Sequence, residues 1–533
     1  MSICNFPRKS AHNSFEIINI EKPYSFFNLV ESKFSGLFSI RRLLSQIRVL
    51  GGKTMILENI DFSTDIIHEN EDLKILLRKE IDTKLIRLSF FTKSFKTIRG
   101  FKSTENKQFL GYIIIKKDYF SSNSKLLKIR VYESVISRGL YPNNFIRGEQ
   151  KWSCNIIGKK FSIHGYLYAQ QNNMTNVCAH VALRTVISRY HPDGDISYRT
   201  INELLGIDHI HRKLGNGKGL STDEMIKAIE HYGANCFVGN YTSNITPPVP
   251  FQKYIYGSIE SGFPSLVVFA TQSSSYHAIP IFGHTFNEDT WVPNAEFSYF
   301  KIGKGIKYIP SESWLSMYIA HDDNWGSNYC IPRRYLHTQK DCDVIPGTIT
   351  KCKKEPEGVA YTISTFPKEI LMSPIHAEAL AADFLFSILQ RLSEVTPIWG
   401  ERLKNYSEHN LIVIRPILVS NKEYINHLST IKDWHDNSIK EDILNILTTH
   451  LNSSFYWLIE ISLPELFSAN RRKVGEIIIR SDIKPPHSRS MDSFVFARIP
   501  GFVTMYSSGD ANNPEFSFIQ SGIDSHTPLY GTH

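Results

Sequence analysis

The sequence predicts an α+β protein of several domains, and three observations carry that prediction. At roughly 100 to 200 residues per domain, 533 residues make about three or four domains. Apolar residues are 42% and charged residues 21% of the chain, enough to build sizeable cores and unlike a disordered, collagen-like or coiled-coil sequence. Helix-like and strand-like stretches occur together in each of three segments, 1–150, 151–345 and 346–533.

In segment 1–150, apolar Leu37, Ile40, Leu44 and Ile47 stand at helical spacing in a basic stretch, Leu37–Leu50, which Gly51-Gly52 stops. Phe109–Lys116 and Leu127–Ser134 read as strands either side of a Ser-Ser-Asn-Ser turn. This segment holds 25 Lys and Arg against 15 Asp and Glu, a balance of +10, which leaves −2 for the rest of a chain whose formal net charge is +8. A basic segment suits an acidic partner: nucleic acid, an anionic membrane surface or an acidic protein. No zinc finger, ribonucleoprotein signature or aromatic-interleaved basic run singles out nucleic acid.

In segment 151–345, the polar loop Gln170–Val177 runs into a helix over about 178–190, ended by His-Pro-Asp-Gly at 191–194. A second helix, about Thr222–Tyr232, starts on the capping box Ser221-Thr-Asp-Glu224 and stops at Gly233. Ser265–Ala270, Ala278–Phe286 and Trp314–Ala320 are strand-like. In segment 346–533, Val359–Phe366, Leu411–Leu418, Phe455–Ile461 and Val474–Ile479 are strand-like, Pro374–Leu392 is a long helix, and no chemical motif stands out.

The seven cysteines are few and contain no CxxC pair, so neither a disulfide framework nor a paired-thiolate zinc site is expected. The N-terminal stretch lacks the apolar core of a signal peptide. Apolar runs such as Tyr112–Ile115 are too short to cross a bilayer. The cytoplasm is the expected compartment, with no transmembrane segment.

One cysteine has a special place. Cys178 sits where the polar loop becomes a helix, with Thr175 or Asn176 available as cap. A helix start carries partial positive charge and free amides, which stabilise a thiolate and can hold a developing oxyanion. A thiol nucleophile needs a base, and the base an orienting group. His277 opens an apolar strand after a serine-rich stretch and is the candidate base. Asp322 and Asp323 follow another apolar strand and are candidate orienters, as is Asn294. Adjacent aspartates before Asn and Gly also suit a turn. Asp208-His-Ile-His211 lacks third and fourth ligands, so no metal or cofactor is expected. Gly215-Asn-Gly-Lys-Gly219 lacks phosphate-loop spacing.

In order, these stretches resemble a known family. A glutamine-bearing loop precedes a helix-start cysteine. Then come Gly-Leu-Ser-x-x-Glu-Met-x-x-Ala-x-x-x-x-Gly at 219–233, Gly-Phe-Pro-Ser-Leu-Val-Val at 262–268 and His-Ala-Ile-Pro-Ile-Phe-Gly at 277–283. This looks like the papain-like cysteine peptidases, in the branch of the bacteriocin-leader-processing enzymes and their stand-alone relatives, over about 165–335. The resemblance implies a papain-like catalytic domain in segment 151–345; the flanking segments read from their own patterns as a basic N-terminal α/β domain, 1–150, and a C-terminal α+β domain, 346–533. It implies Cys178 as nucleophile and His277 as general base. Asp323 would orient the histidine, because Asp-Asn-Trp-Gly at 323–326 is similar to the Asn-Ser-Trp-Gly of papain relatives. Gln171, or Gln170, would complete the oxyanion hole, although the family spacing of six residues falls on Asn172. A protein or peptide substrate follows, as does a peptidase or isopeptidase activity, with acyl transfer and deamidation sharing the thioester step. The runner-up is an inactive papain-like scaffold that binds nucleic acid or protein through its basic third.

Overall fold

The computed structural model describes residues 15–20, 25–138, 144–208, 210, 219–242, 249–270, 276–286, 306–333, 336, 358–433, 435–470, 472–485, 491–509, 514–523 and 527–529. Helices and antiparallel sheets both contribute, so the α+β expectation holds. No helix among the described residues is long and apolar enough to cross a membrane.

The first sheet is a five-stranded antiparallel meander in chain order: Phe15–Asn19, Thr54–Asn59, Ile81–Phe91, Phe109–Phe120 and Leu126–Ile136. Alternate residues along its strands reach opposite faces. Met55, Leu88, Phe90, Ile113 and Val131 pack under the Ser39–Val49 helix. Ile56, Leu85, Phe91, Tyr112 and Ile114 pack against Ile66 of the Thr64–Leu77 helix and against the hairpin Gln150–Ile156/Lys159–Gly165. With both faces covered, the central strands are almost continuously apolar, which is why they stand out in the sequence.

The middle sheet runs in the order Gly326–Pro332, Leu315–Asp322, Tyr276–Phe286, Ser265–Ala270, Val359–Pro367, Ala234–Asn240. On one face lies the Cys178–Ile187 helix, whose Ala179, Ala182, Leu183 and Val186 meet Leu266, Val268, Ala278 and Ile363. The Thr222–His231 helix packs beside it, started by the expected capping box with Ser221 and Glu224 bonded reciprocally at 3.2 and 2.7 Å. Phe251, Ile255 and Ile259 of the Phe251–Glu260 helix cover the other face.

The boundary at 345 divides this sheet. Val359–Pro367, placed in the third segment by its position in the chain, pairs between Ser265–Ala270 and Ala234–Asn240. Pairing between strands about 90 to 130 residues apart leaves no local mark on any of them. In the other direction, Ile309–Pro310 pairs in parallel with Val413–Ser420 and joins the third sheet. That sheet continues through Phe455–Ser462, Gly475–Arg480, Phe494–Ile499, Phe502–Gly509 and Pro514–Gln520. The Pro374–Val395 helix covers one face, and the Asn421–Thr430 and Glu441–Thr449 helices the other. A buried ionic chain ties the two sheets. Arg415 reaches Glu260 at 2.6 Å and Glu460 at 3.0 Å, and Glu260 also takes His284 at 2.5 Å. Charges this deep are tolerated because each is paired.

One buried acid gives the fold a pH signature. Glu133, on Leu126–Ile136, accepts a hydrogen bond from Tyr112. Burial and the charge of Asp195 push its carboxyl up to about 7. The folded state therefore holds this proton more tightly than the unfolded chain, whose carboxyl titrates near 4.5. The contribution is fully present below about pH 4.5 and is lost as pH rises through 7. Glu133→Gln is expected to flatten the fall in melting temperature between pH 5 and pH 8. An unchanged slope would refute the assignment.

Candidate active site

The loop before the helix is built around Asn172. Its Oδ1 accepts the amides of Met174 and Thr175 at 2.8 Å and of Asn176 at 3.2 Å. Its Nδ2 donates to Thr175 Oγ1 at 2.7 Å and to Glu69 at 3.3 Å. In return Asn176 Oδ1 accepts the Asn172 amide at 2.7 Å. These bonds fold residues 172–176 into a fixed turn that delivers Cys178 to the first position of its helix. Thr175 and Asn176 were expected to cap the helix; instead their side chains close the loop, and the N-cap is Val177. The Val177 amide donates to His180 Nδ1 at 3.3 Å, and His180 Nε2 faces Asn202 Oδ1 at 2.9 Å. The first amides of the helix stay outside its hydrogen-bond ladder.

The sheet register brings the other residues to Cys178. Pairing of Ile281 with Ala320 carries His277, near the start of its strand, level with residues 322–324 at the end of the neighbouring one. The Cys178 thiol lies near enough to the His277 ring to favour its protonated form. Nε2 of the ring faces Asp322 Oδ2 at 3.4 Å and Asp323 Oδ1 at 3.5 Å. Phe269 stands edge-on to the imidazole, with centroids 5.4 Å apart, and fixes its plane.

The electrostatics follow the geometry. Burial opposes charge on His277, but Asp322, the Cys178 thiol and the Asp323 charge outweigh it and push the imidazole up to about 11. Burial and the neighbouring Asp322 raise the Asp323 carboxyl to about 6, against the pull of His277. The turn reading of the aspartates is also correct: Asp322 Oδ1 accepts the Asn324 amide at 2.8 Å and the Trp325 amide at 3.1 Å. Asp322 holds the turn with one oxygen and faces the histidine with the other.

Of the expected residues, Cys178, His277, Asp322 and Asp323 come together. Asn294 lies outside the described residues, as do His209 and His211 of the histidine pair and 215–218 of the glycine stretch. Gln170 corrects the expectation of an oxyanion donor. Its Oε1 accepts from Ser39 and from the Val131 amide, both at 2.9 Å, and its Nε2 donates to the Asp323 carbonyl at 3.1 Å. Gln170 ties the loop to the aspartate turn. Asn172, at the family's spacing, is likewise fully engaged in the loop. Gln171 is half-buried and its side chain makes no hydrogen bond among the described residues, which leaves its amide available.

The N-terminal segment supports this site throughout, which its sequence did not announce. Arg130 donates to the Gln170 carbonyl at 2.9 Å and pairs with Glu69. Lys128 donates to the Asn172 carbonyl at 2.9 Å. From the Ser39–Val49 helix, Arg42 Nε reaches the Ser327 carbonyl at 2.8 Å and Gln46 reaches the same oxygen at 3.1 Å. Gly326, at φ +118°, passes so close that a Cβ would stand 3.2 Å from the Arg42 side chain. The expected helix thus grips the turn that holds the aspartates. The contacts join residues from 40 to 285 apart, mostly to backbone carbonyls, so residue type gave no signal. Compared with family models, with curated proteins and with solved structures, the chain finds no match.

Proposed function

We propose that the chain is a thiol-dependent hydrolase of amide bonds in a peptide or isopeptide substrate. The observation that supports it is the Cys178–His277–Asp322/Asp323 array, drawn from a helix start and two strand ends and aligned through a buried imidazole. Cys178 sulfur attacks the carbonyl carbon as its proton passes to His277. The oxyanion is met by the Cys178 amide and the Gln171 side chain. His277 returns the proton to the leaving amine, the C–N bond breaks and a thioester remains. Water then attacks the thioester with His277 as base, which releases the acid and restores the thiol.

The basic N-terminal third reads less well as a docking surface for an acidic partner. Arg42, Lys116, Lys128 and Arg130 are engaged inside the protein, on carbonyls or on Glu69. This favours the hydrolase reading over the scaffold reading.

An electrophilic thiol-peptidase probe tests the proposal, with the labelled residue found by peptide mapping. Label on Cys178 is expected in the wild type and none in Cys178→Ala. Equal labelling of both proteins would overturn the assignment. The competing thiols are less reactive where burial raises them, as it does Cys154, to about 12, and Cys236. The two aspartates are expected to share the orienting role, since they face Nε2 at 3.4 and 3.5 Å. Asp322→Asn and Asp323→Asn should each keep a measurable labelling rate, and the double variant should fall well below either. A single variant as slow as the double would assign the role to one carboxylate.

A further inference from the structure

A thiol–imidazole pair needs one orienting acid, and this site presents two. His277 Nε2 and Asp323 Oδ2 are buried without a hydrogen-bond partner, and the side chains of His277, Asp322 and Asp323 are all at least nine-tenths buried. The separations from Nε2 to the two carboxylate oxygens, 3.4 and 3.5 Å, exceed the usual hydrogen-bond range of about 2.7 to 3.2 Å. They match another geometry. Ligands held about 2.0 to 2.2 Å from a tetrahedral zinc ion lie about 3.4 Å from one another. All three donor atoms fall within 4.8 Å of one another.

We propose that the Nε2 face of His277, with Asp322 and Asp323, binds one divalent cation of the zinc class, and that the bound ion silences Cys178. Two carboxylates and a neutral imidazole balance the charge of such an ion, and nitrogen with oxygen donors suits zinc. Lys128 is the cation whose charge acts on Asp323 from outside this set, and it is itself held on the Asn172 carbonyl. The silencing follows from the ring's proton count. Nε2 faces the aspartates, so Nδ1 is the nitrogen left for the thiol. An ion on Nε2 displaces the proton there to solvent and leaves the ring's single proton on Nδ1. That nitrogen then has no lone pair to accept the thiol proton. Binding rests on the cluster alone, whereas silencing rests on the hydrolase reading. The sequence, with no further ligands near its histidine pair, gave no expectation of a metal here.

The test uses the full chain, stripped with a chelator and titrated with zinc against a chromophoric competitor. One equivalent is expected to bind to wild type and equally to Cys178→Ala, because the thiol is not among the three ligands. His277→Gln and Asp323→Asn are each expected to weaken binding by at least about the 10- to 100-fold that loss of an outer-shell partner costs. Circular dichroism of each variant shows that it is folded. Zinc is expected to slow alkylation of Cys178 in the wild type and leave the rate unchanged in folded His277→Gln. Binding that survives His277→Gln, or disappears in Cys178→Ala, overturns the proposal, and so does alkylation indifferent to zinc. A protein that binds zinc through His277 but never reacts at Cys178, even without metal, would keep the site and remove the hydrolase reading.

Discussion

Glu69→Ala is expected to destabilise the protein by about 3 to 5 kcal/mol, as removal of one partner from a buried ion pair does. Glu69 is 1% exposed on the Thr64–Leu77 helix and receives Lys116 at 2.9 Å, Arg130, and Asn172 at 3.3 Å. Burial alone would raise its carboxyl, yet the charges of Arg130 and Lys116 and their hydrogen bonds hold it down to about 2. Without it, two cations are left buried with less compensation and Asn172 loses a partner in the loop before Cys178. Because the folded carboxyl titrates below the unfolded value of 4.5, its stabilisation is present above about pH 4.5 and disappears as pH falls towards 2. Urea unfolding at pH 7 checks the size, and acid titration of the wild type against Glu69→Gln checks the sign. A loss under about 1 kcal/mol at pH 7, the usual scale of exposed pairs, would show that the network is not what holds the loop.

The larger kinetic effect falls on the base. His277→Ala is expected to lower the rate of Cys178 acylation by about 10²- to 10⁴-fold, the usual contribution of positioned general acid–base catalysis. The ring is well placed for that share: it lies near the thiol, faces two carboxylates and meets Phe269 edge-on. Acylation within a factor of about three of wild type, in a folded variant, would remove His277 from the mechanism.

What the sequence made legible was local. The Ser221 capping box, the Leu37–Leu50 helix, the paired strands near 109–136 and the helix starting at Cys178 are set by spacing and capping over a few residues, and each appears within a few residues of its expected bounds. The order of Cys178, His277 and the two aspartates was legible too, because chemistry restricts which residue types can serve. Everything set by contacts distant in sequence was hidden. Val359–Pro367 looks like any apolar strand, yet its partners lie far back in the chain. Gln170 looked as suitable an oxyanion donor as Gln171 until Ser39, Val131 and Asp323 were found on it. The positive charge of the N-terminal third suggested an external partner, while composition, which counts charges without their contacts, hid the internal role of several of them. Arg130 on Glu69 and Gln170, and Arg42 on Ser327, are internal supports.

In the proposed mechanism Cys178 carries the acyl group. The most direct test is acid-quenched trapping with an activated peptide ester, followed by mass mapping of every cysteine-containing peptide. The expected result is one acyl group, as a hydroxylamine-sensitive thioester on the peptide containing Cys178. It should be absent in Cys178→Ala and strongly slowed in His277→Ala. Acylation confined to another residue, or equal trapping on Cys178 with and without His277, would contradict it.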